Sequence, residues 1–524
     1  MNNSFKIKRL TIEWVIYLPI LLFVCFTINS IYAQELYDKN WVFRSYWRNA
    51  MIMQFGSDSI RNIVNENSDI GLYATNTSMS DIDGNLLFYS NGCSIWNSKH
   101  QVIQNGDHLN SGPLTNEFCS QGGGYLAGHQ TMISIPNPAN SNQYYIFHVS
   151  VVYVYEPIFN INTRYLYYTL VDFTNPAGKV VISKDTNNIL TLQKNRVLLQ
   201  DTSVFTGEMT AVKHANNKFW WIITPKNNDS TYIRFLVSDT GISGPYYQTI
   251  GGPFTPLGGL GGGTCFSPDG KKFVRFNVLD GLYVFDCDRE TGLLSNYKKA
   301  YVDEPTRIGG IAISPNSKYA YASSYTKLYQ IDLDAKELSK SIILIDTFNW
   351  VPSPTIPFYN FFGMSQLGPD CRIYISSYNG VDRLHVIKYP DRQGKACELV
   401  QQGYSLPSPH GGSLPHFPNY RLGTSPGCDS TIRFQTGFWN DLFVDPALLL
   451  YPNPTKDYLN IETSDGNHIS SIEIIDLSGK MVKFKQHGTS DHLKLHFDVL
   501  PGCYILKIYL DNKKMLFRKL IIGE

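Results

Sequence analysis

Apolar residues along the chain fall into short runs broken by polar turns, and one arrangement of runs recurs six times. A turn of Asn, Asp, Gly or Ser is followed by a strand-like segment at 85–90, 143–148, 218–223, 271–276, 318–323 and 372–377. Each is succeeded by a second apolar run, at 94–97, 165–172, 232–239, 282–288, 328–334 and 384–389, and four of the six end on Asp. Asp suits that position because its carboxylate accepts hydrogen bonds from the backbone amides of the turn it opens. Upstream of most turns lies a third run, usually led by Gly, as at 128–135, 207–212, 310–314 and 363–367; downstream lies a fourth, as at 196–200, 297–302 and 341–346. The pattern predicts four antiparallel strands per unit, with a mean spacing of roughly 57 residues.

A lone four-stranded sheet leaves both faces bare, whereas blades set around an axis cover one another and expose only short edges. The spacing is that of a propeller blade enlarged by loop insertions. Segments 40–43 and 71–74 at one end and 410–422 at the other supply a seventh blade, so the expected fold is all-β, a β-propeller of about seven four-stranded blades. Composition agrees: 14% of residues are aromatic, with 34 Tyr and 29 Phe, which fit pleated, half-buried surfaces. The segments 266–274 with 282–292 (Phe-Ser-Pro-Asp-Gly-Lys-Lys-Phe-Val, then Leu-Tyr-Val-Phe-Asp-Cys-Asp-Arg-Glu-Thr-Gly), and 313–319 with 328–333, resemble blades of the YVTN and WD40-like β-propeller families. The resemblance covers roughly 36–430 and implies a fold, not an activity, since propellers host enzymes, receptors and scaffolds. The Gly-His…Trp-Asp signature of true WD40 repeats is absent.

Charge narrows the partners. With 45 Lys and Arg against 44 Asp and Glu the formal net charge is +1, so no global field holds nucleic acid or an anionic membrane. At the N-terminus Lys6, Lys8 and Arg9 precede an apolar stretch at 15–28 and a small residue, Ala33, the three parts of a secretory signal; residues 1–33 are expected to be cleaved. Of nine Cys, eight remain in the exported chain, where disulfides persist. Cys93–Cys119 and Cys371–Cys397 are the preferred pairs, each lying within one repeat; Cys265 and Cys287 read as buried small residues.

The pattern changes near the C-terminus. Propeller residues 34–425 give way to a Pro- and Gly-containing linker at 426–446, and short strands follow through 447–524. Leu493, Leu495 and Phe497 alternate with Lys494, His496 and Asp498, marking a sheet with one wet face, and about seven strands suggest a small Ig-like β-sandwich. Tyr451 with Pro452, Asn453 and Pro454, the run 474–482 containing Asp476 and Gly479, and the run 499–508 containing Gly502 and Tyr504 resemble the type A C-terminal sorting domain of the type IX secretion system of Bacteroidota. Val499 stands where that family commonly has Leu. The resemblance implies export across the outer membrane by that secretion machinery, then release or attachment at the surface.

Candidate chemistry is sparse. The run Asp81-Ile-Asp-Gly-Asn echoes a calcium loop but is short and reads as a hairpin. The Gly-rich 258–263 lacks the Lys-Ser/Thr and the helix of a phosphate loop. No zinc spacing, serine elbow or His-Glu-x-x-His occurs, so no metal or cofactor is expected. Residues just before the innermost strands surround the channel mouth and include His129, Glu208 and Arg307, an acid, a base and a cation suited to a polar ligand or to structural hydrogen bonds. His410 and His416 fall in the closing loop. Two readings remain: a monomeric exported binding protein that engages an extracellular protein or glycan through face loops such as 150–164 and 251–263, and a secreted lactonase-like or glycan-cleaving hydrolase. The absence of a catalytic motif favours the non-enzyme.

Overall fold

The computed structural model describes residues 35–422 and 448–523, apart from short internal stretches at 44–49, 57–58, 66–70, 73, 121–123, 126–127, 156–159, 185–189, 202–206, 227–228, 253–261, 303–307, 355–356, 454, 464–467, 477–480, 497 and 512–514. The proposed signal segment and linker lie outside the described residues.

Among the described residues seven blade sheets, all antiparallel, follow one another along 40–405, beside a small two-stranded sheet of Ile182–Lys184 and Leu190–Leu192. Blade 1 is Asn40–Phe43, Ala50–Phe55 and Ile60–Asn65; blade 2 is Thr77–Ser80, Leu86–Ser90 and Ile95–Asn97. Blade 3 runs Met132–Asn137, Asn140–Val154 and Asn160–Asp172, with Lys179–Val180 and Arg196–Gln200 both pairing the third strand. Blades 4 to 7 are four-stranded meanders opening with Thr210–Lys213, Gly262–Phe266, Gly309–Ile313 and Ser365–Leu367. First strands of successive sheets lie side by side, from blade 1 to 2, 2 to 3, 4 to 5, 5 to 6 and 6 to 7, which places them around one axis. The chain is a β-propeller. In blades 4 to 7 the pairing of third and fourth strands is interrupted by a register shift, a bulge that adds local twist and splays the outer edge.

Packing explains the sequence pattern. Trp220–Pro225 and Tyr319–Ser324, second strands of blades 4 and 6, are buried at every position, because a middle strand has a neighbouring blade on each face. Phe273, Phe285 and Tyr283 of blade 5 meet Trp221, Ile223 and Tyr232 of blade 4. On its other face Val274, Phe276 and Val284 meet Ile311 and Ile313 of blade 6. Glycine leads the inner strands because backbones converge near the axis: a Cβ on Gly310 would lie 2.6 Å from the amide nitrogen of Ser365 and 2.7 Å from the carbonyl oxygen of Gly363.

Closure departs from expectation. The seventh sheet is made entirely at the N-terminal end, by 40–65, and neither 71–74 nor 410–422 contributes a described strand. Blade 7 meets blade 1 through side chains: Trp41 and Phe55 pack on Tyr374, and the Tyr404 hydroxyl bonds Asn62 Oδ1 at 2.9 Å. Segment 410–422 instead runs along the channel beside 38–43, from His410 next to Phe43, through Phe417 next to Trp41, to Arg421 next to Asp38. His416 N bonds the carbonyl of Asn76 at 3.1 Å, the Tyr420 hydroxyl bonds that of Ser134 at 2.6 Å, and Arg421 grips Asp38 with both terminal nitrogens, Nη2 to Oδ2 at 2.7 Å.

Cys93 and Cys119 are joined, tying the helix Pro113–Cys119 to the turn after blade 2's second strand. The expected Cys371–Cys397 bond is not made: Cys371 is disulfide-bonded, but Cys397 is a free, fully buried thiol. The 3-10 turn Gly394–Cys397 carries it inward against Tyr321 of blade 6, into the core between blades 6 and 7. Cys265 and Cys287 are free thiols, the second buried and the first partly so.

Residues 448–523 form two facing sheets. Leu448–Tyr451, Tyr458–Thr463 and His492–His496 make one; Met481–Ser490, Ile469–Asp476, Gly502–Leu510 and Met515–Ile522, in that spatial order, make the other. Leu459, Ile461, Leu495, Ile472, Leu506 and Leu520 fill the space between, and Lys494 points to water between buried Leu493 and Leu495, the predicted alternation. Phe497 lies outside the described residues.

Candidate functional site

Two regions concern function: the channel and the face on which it opens. The channel is laced by residues that enter the inner strands. Gln130, at a left-handed φ of 51°, turns its amide across the ring, accepting from Thr264 N and donating to Thr264 O, each at 2.8 Å. Its own carbonyl accepts Met209 N at 3.2 Å. His129 is 1% exposed and its Nε2 meets the Tyr378 hydroxyl, while its Nδ1 has no partner among the described residues. His416, from the closing segment, donates Nε2–H to Met209 O at 2.9 Å, and its Nδ1 is likewise bare. Burial pushes His129 down to about 3, with His416 nearby adding to the shift, and His416 down to about 4, so both rings are neutral at neutral pH.

Glu208 stands beside this group in sequence but is turned elsewhere. Its carboxylate pairs with Arg275 Nε on the second strand of blade 5, both side chains being almost wholly buried, and Tyr232 and Tyr283 surround them. Burial outweighs the arginine and holds the Glu208 carboxyl above the usual carboxylate range. The pair points outward between blades 4 and 5. The structure therefore brings His129 to His416 and Tyr378, and sends Glu208 to Arg275; Arg307 lies outside the described residues. Below them a cavity of about 60 Å3, lined by Thr264, Phe266, Ile313, Leu367 and 416–419, has room for a few waters and is far smaller than a ligand pocket. Asp81, read as a hairpin residue, accepts Asp83 N at 3.0 Å and Asn85 N at 2.8 Å within its turn.

The upper face is a different surface. In an up-and-down blade the starts of the first and third strands and the ends of the second and fourth share one side. Tyr155 follows the second strand of blade 3, Tyr301 the fourth of blade 5 and Trp350 the fourth of blade 6, while Phe358 and Tyr359 precede the first of blade 7. These five aromatic residues, 41–70% exposed, stand on that one face. Of the loop expected at 150–164, residues 150–154 and 160–164 are instead paired in the long second and third strands of blade 3, with Tyr155 just beyond the strand end; of the loop expected at 251–263, 253–261 lies outside the described residues. The aromatic loop at 348–362 was missed, although its signal was legible: no Asp, Glu, Lys or Arg occurs between Asp346 and Asp370, yet the run holds Trp, Tyr and four Phe.

The described sorting motif residues occupy turns and strand ends of the C-terminal sandwich. Asn453 Oδ1 accepts Ile521 N at 2.9 Å, which with Thr455 N to Ile521 O at 2.9 Å ties the turn after Pro452 to the final strand. Tyr504 donates to Leu500 O at 2.6 Å, Asp476 ends one strand and Gly502 opens another. Pro454 and Gly479 lie outside the described residues.

Residues 449–523 match the secretion system C-terminal sorting domain. The chain thus carries a type IX sorting domain, which engages that secretion machinery and directs export to the cell surface or the extracellular space. No curated protein matches the chain. Among solved structures, it is similar to a putative 6-phosphogluconolactonase from Bacteroides uniformis at 12% identity, over 72% of this chain and 100% of that one, with a TM-score of 0.40. The periplasmic gluconolactonase of Pseudomonas aeruginosa is 13% identical over 72% and 97%, with a TM-score of 0.36. The Cps50 (Swd1) β-propeller domain of Myceliophteria thermophila is 11% identical over 64% and 88%, with a TM-score of 0.35.

Proposed function

We propose that this exported propeller is a binding protein that engages an extracellular ligand through its upper face, with residues 34–425 as a monomeric binding unit, 426–446 as linker and 447–524 as its export signal. The observation that carries the reading is the gathering of five exposed aromatic side chains from blades 3, 5, 6 and 7 on one face. Large exposed aromatics are costly in water and concentrate where a partner covers them.

The chemistry of the channel weighs against the hydrolase reading. A general acid or base is effective when its pKa lies near the working pH, and His129, lowered by burial to about 3, is uncharged there and only weakly basic. Glu208 is committed to Arg275, and the cavity beneath is of water size. The reading is tested by passing the labelled full chain over a glycan array and over immobilised extracellular proteins, beside a Tyr155→Ser/Tyr301→Ser/Trp350→Ser variant and a His129→Gln variant. Retention that falls with the triple variant and survives His129→Gln is expected. Turnover of a lactone or nitrophenyl glycoside that vanishes with His129→Gln at unchanged melting temperature would overturn it.

A further inference from the structure

The loop joining blades 6 and 7 is built unlike the rest of the face. Phe348 and Phe361 are buried, and Trp350 stands over them, its ring 5.8 Å from Phe348 and 5.7 Å from Phe361, edge-on to the latter at 83°. Tyr359 packs edge-on against Trp350 at 5.8 Å and 80°. Trp350 takes a left-handed φ of 58°, a conformation that a bulky side chain avoids. The loop is stiffened by Pro352, by Ser353 N to Phe358 O at 2.9 Å, and by a β-bridge between Pro352 and Tyr359. Its rim is amide: Asn379 Nδ2 holds Tyr359 O at 2.7 Å and Gln402 Nε2 holds Val351 O at 2.8 Å. The side-chain oxygens of both amides accept no bond among the described residues, so each remains open to a hydroxyl donor.

Resting on the proposed upper-face reading, we propose that Trp350, Val351, Phe358 and Tyr359 with the rim amides Asn379 and Gln402 form a site for a neutral polysaccharide. Charge selects the ligand class. No charged residue occurs between Asp346 and Asp370, so the loop itself brings no charge to the site, and the neighbouring Asp382, which accepts from Ser353, is buried and paired with Arg383. Rings held rigid and half exposed (Trp350 58%, Phe358 53%, Tyr359 41%) take the C–H face of a pyranose, whose hydroxyls reach the amides at the edge. Size argues against a protein partner: the exposed apolar area is roughly 300–400 Å2, about half of the ~800 Å2 that each side of a stable protein complex buries.

The test is affinity electrophoresis of the full chain in gels containing laminarin, galactomannan, xyloglucan or hydroxyethylcellulose, with alginate as the anionic counterpart. Retardation by at least one neutral polymer is expected. Trp350→Ala and, separately, Phe358→Ser should weaken it by about tenfold or more at unchanged melting temperature, because both side chains are solvent-facing. Retardation by none of the neutral polymers, by alginate alone, or to an equal extent in wild type and both variants would overturn the site. If the chain binds immobilised proteins instead, and Tyr155→Ser/Tyr301→Ser rather than Trp350→Ala removes that binding, the polysaccharide site fails while the upper-face reading stands.

Discussion

Acid is the sharpest perturbation this structure predicts. Five histidines, His129, His148, His385, His410 and His416, are wholly buried, and burial lowers each, to about 3 for the first two and about 4 for the others. An unfolded histidine titrates near ~6.5, so between that value and the folded one the unfolded chain binds more protons and stability rises with pH. The contribution is complete above about pH 6.5 and is lost as the pH falls below it. At pH 5 each histidine has forfeited about 2 kcal/mol relative to neutral pH, hence roughly 10 kcal/mol for five. Asp370 opposes them: burial raises its carboxyl to about 6, so it favours the fold as pH drops through that value, offsetting on the order of 1 kcal/mol at pH 5, and Glu208, also raised by burial, acts in the same direction. The net loss rivals the 5–15 kcal/mol total stability of a typical domain. Urea unfolding followed by tryptophan fluorescence at pH 7.5, 6.5, 5.5 and 5 should show the midpoint collapsing over that range. His416→Asn should reduce the slope by about 1.4 kcal/mol per pH unit. The first losses should expose segment 410–422 to protease, because His410 and His416 lie in it and His129 and His385 lie beside them. A midpoint that stays flat between pH 7.5 and 5 would refute the reasoning.

Three further outcomes follow from particular contacts. Cys93→Ser should cost about 3–4 kcal/mol, the chain-entropy value for a 26-residue loop, read from urea melts without reductant, which would also break the bond that Cys371 makes. Glu208→Gln strands Arg275 in the core between blades 4 and 5 and should cost about 3–5 kcal/mol, whereas Glu208→Met with Arg275→Met should recover part of it; a loss below about 1 kcal/mol for the single change would mean that the pair is not buried as described. Arg421→Met removes the grip on Asp38, the link between the chain before blade 1 and the segment after blade 7, and should cost about 3 kcal/mol and speed cleavage within 410–422 under limited proteolysis.

Much of the architecture was legible in the chain. The fourfold alternation of run and turn is local chemistry: Asp at the end of a third strand, Asn or Gly at the preceding hairpin, apolar residues between. It located the strands of blades 4 to 7, as at 218–223, 271–276 and 318–323. The sorting domain was legible for the same reason, since Tyr451, Asn453 and Tyr504 sit in turns and strands whose spacing is short-range. The Cys93–Cys119 bond, within one repeat, was also correctly placed.

What the sequence by itself determined, then, was the blade, its repetition into a closed all-β ring, and the exported address. Only the tertiary structure decided how the ring closes, with 410–422 laid along the channel beside 38–43 instead of paired as a strand. It also decided that Cys397 faces Tyr321 rather than Cys371, that Glu208 turns from the axis to Arg275, and that aromatic residues as distant as Tyr155 and Tyr359 share a face. The physical reason is range. A strand is specified by neighbours two residues apart and a turn by four, whereas the partner across a blade interface or a channel is set by how whole sheets stack, which brings Asp38 to Arg421 across 383 positions.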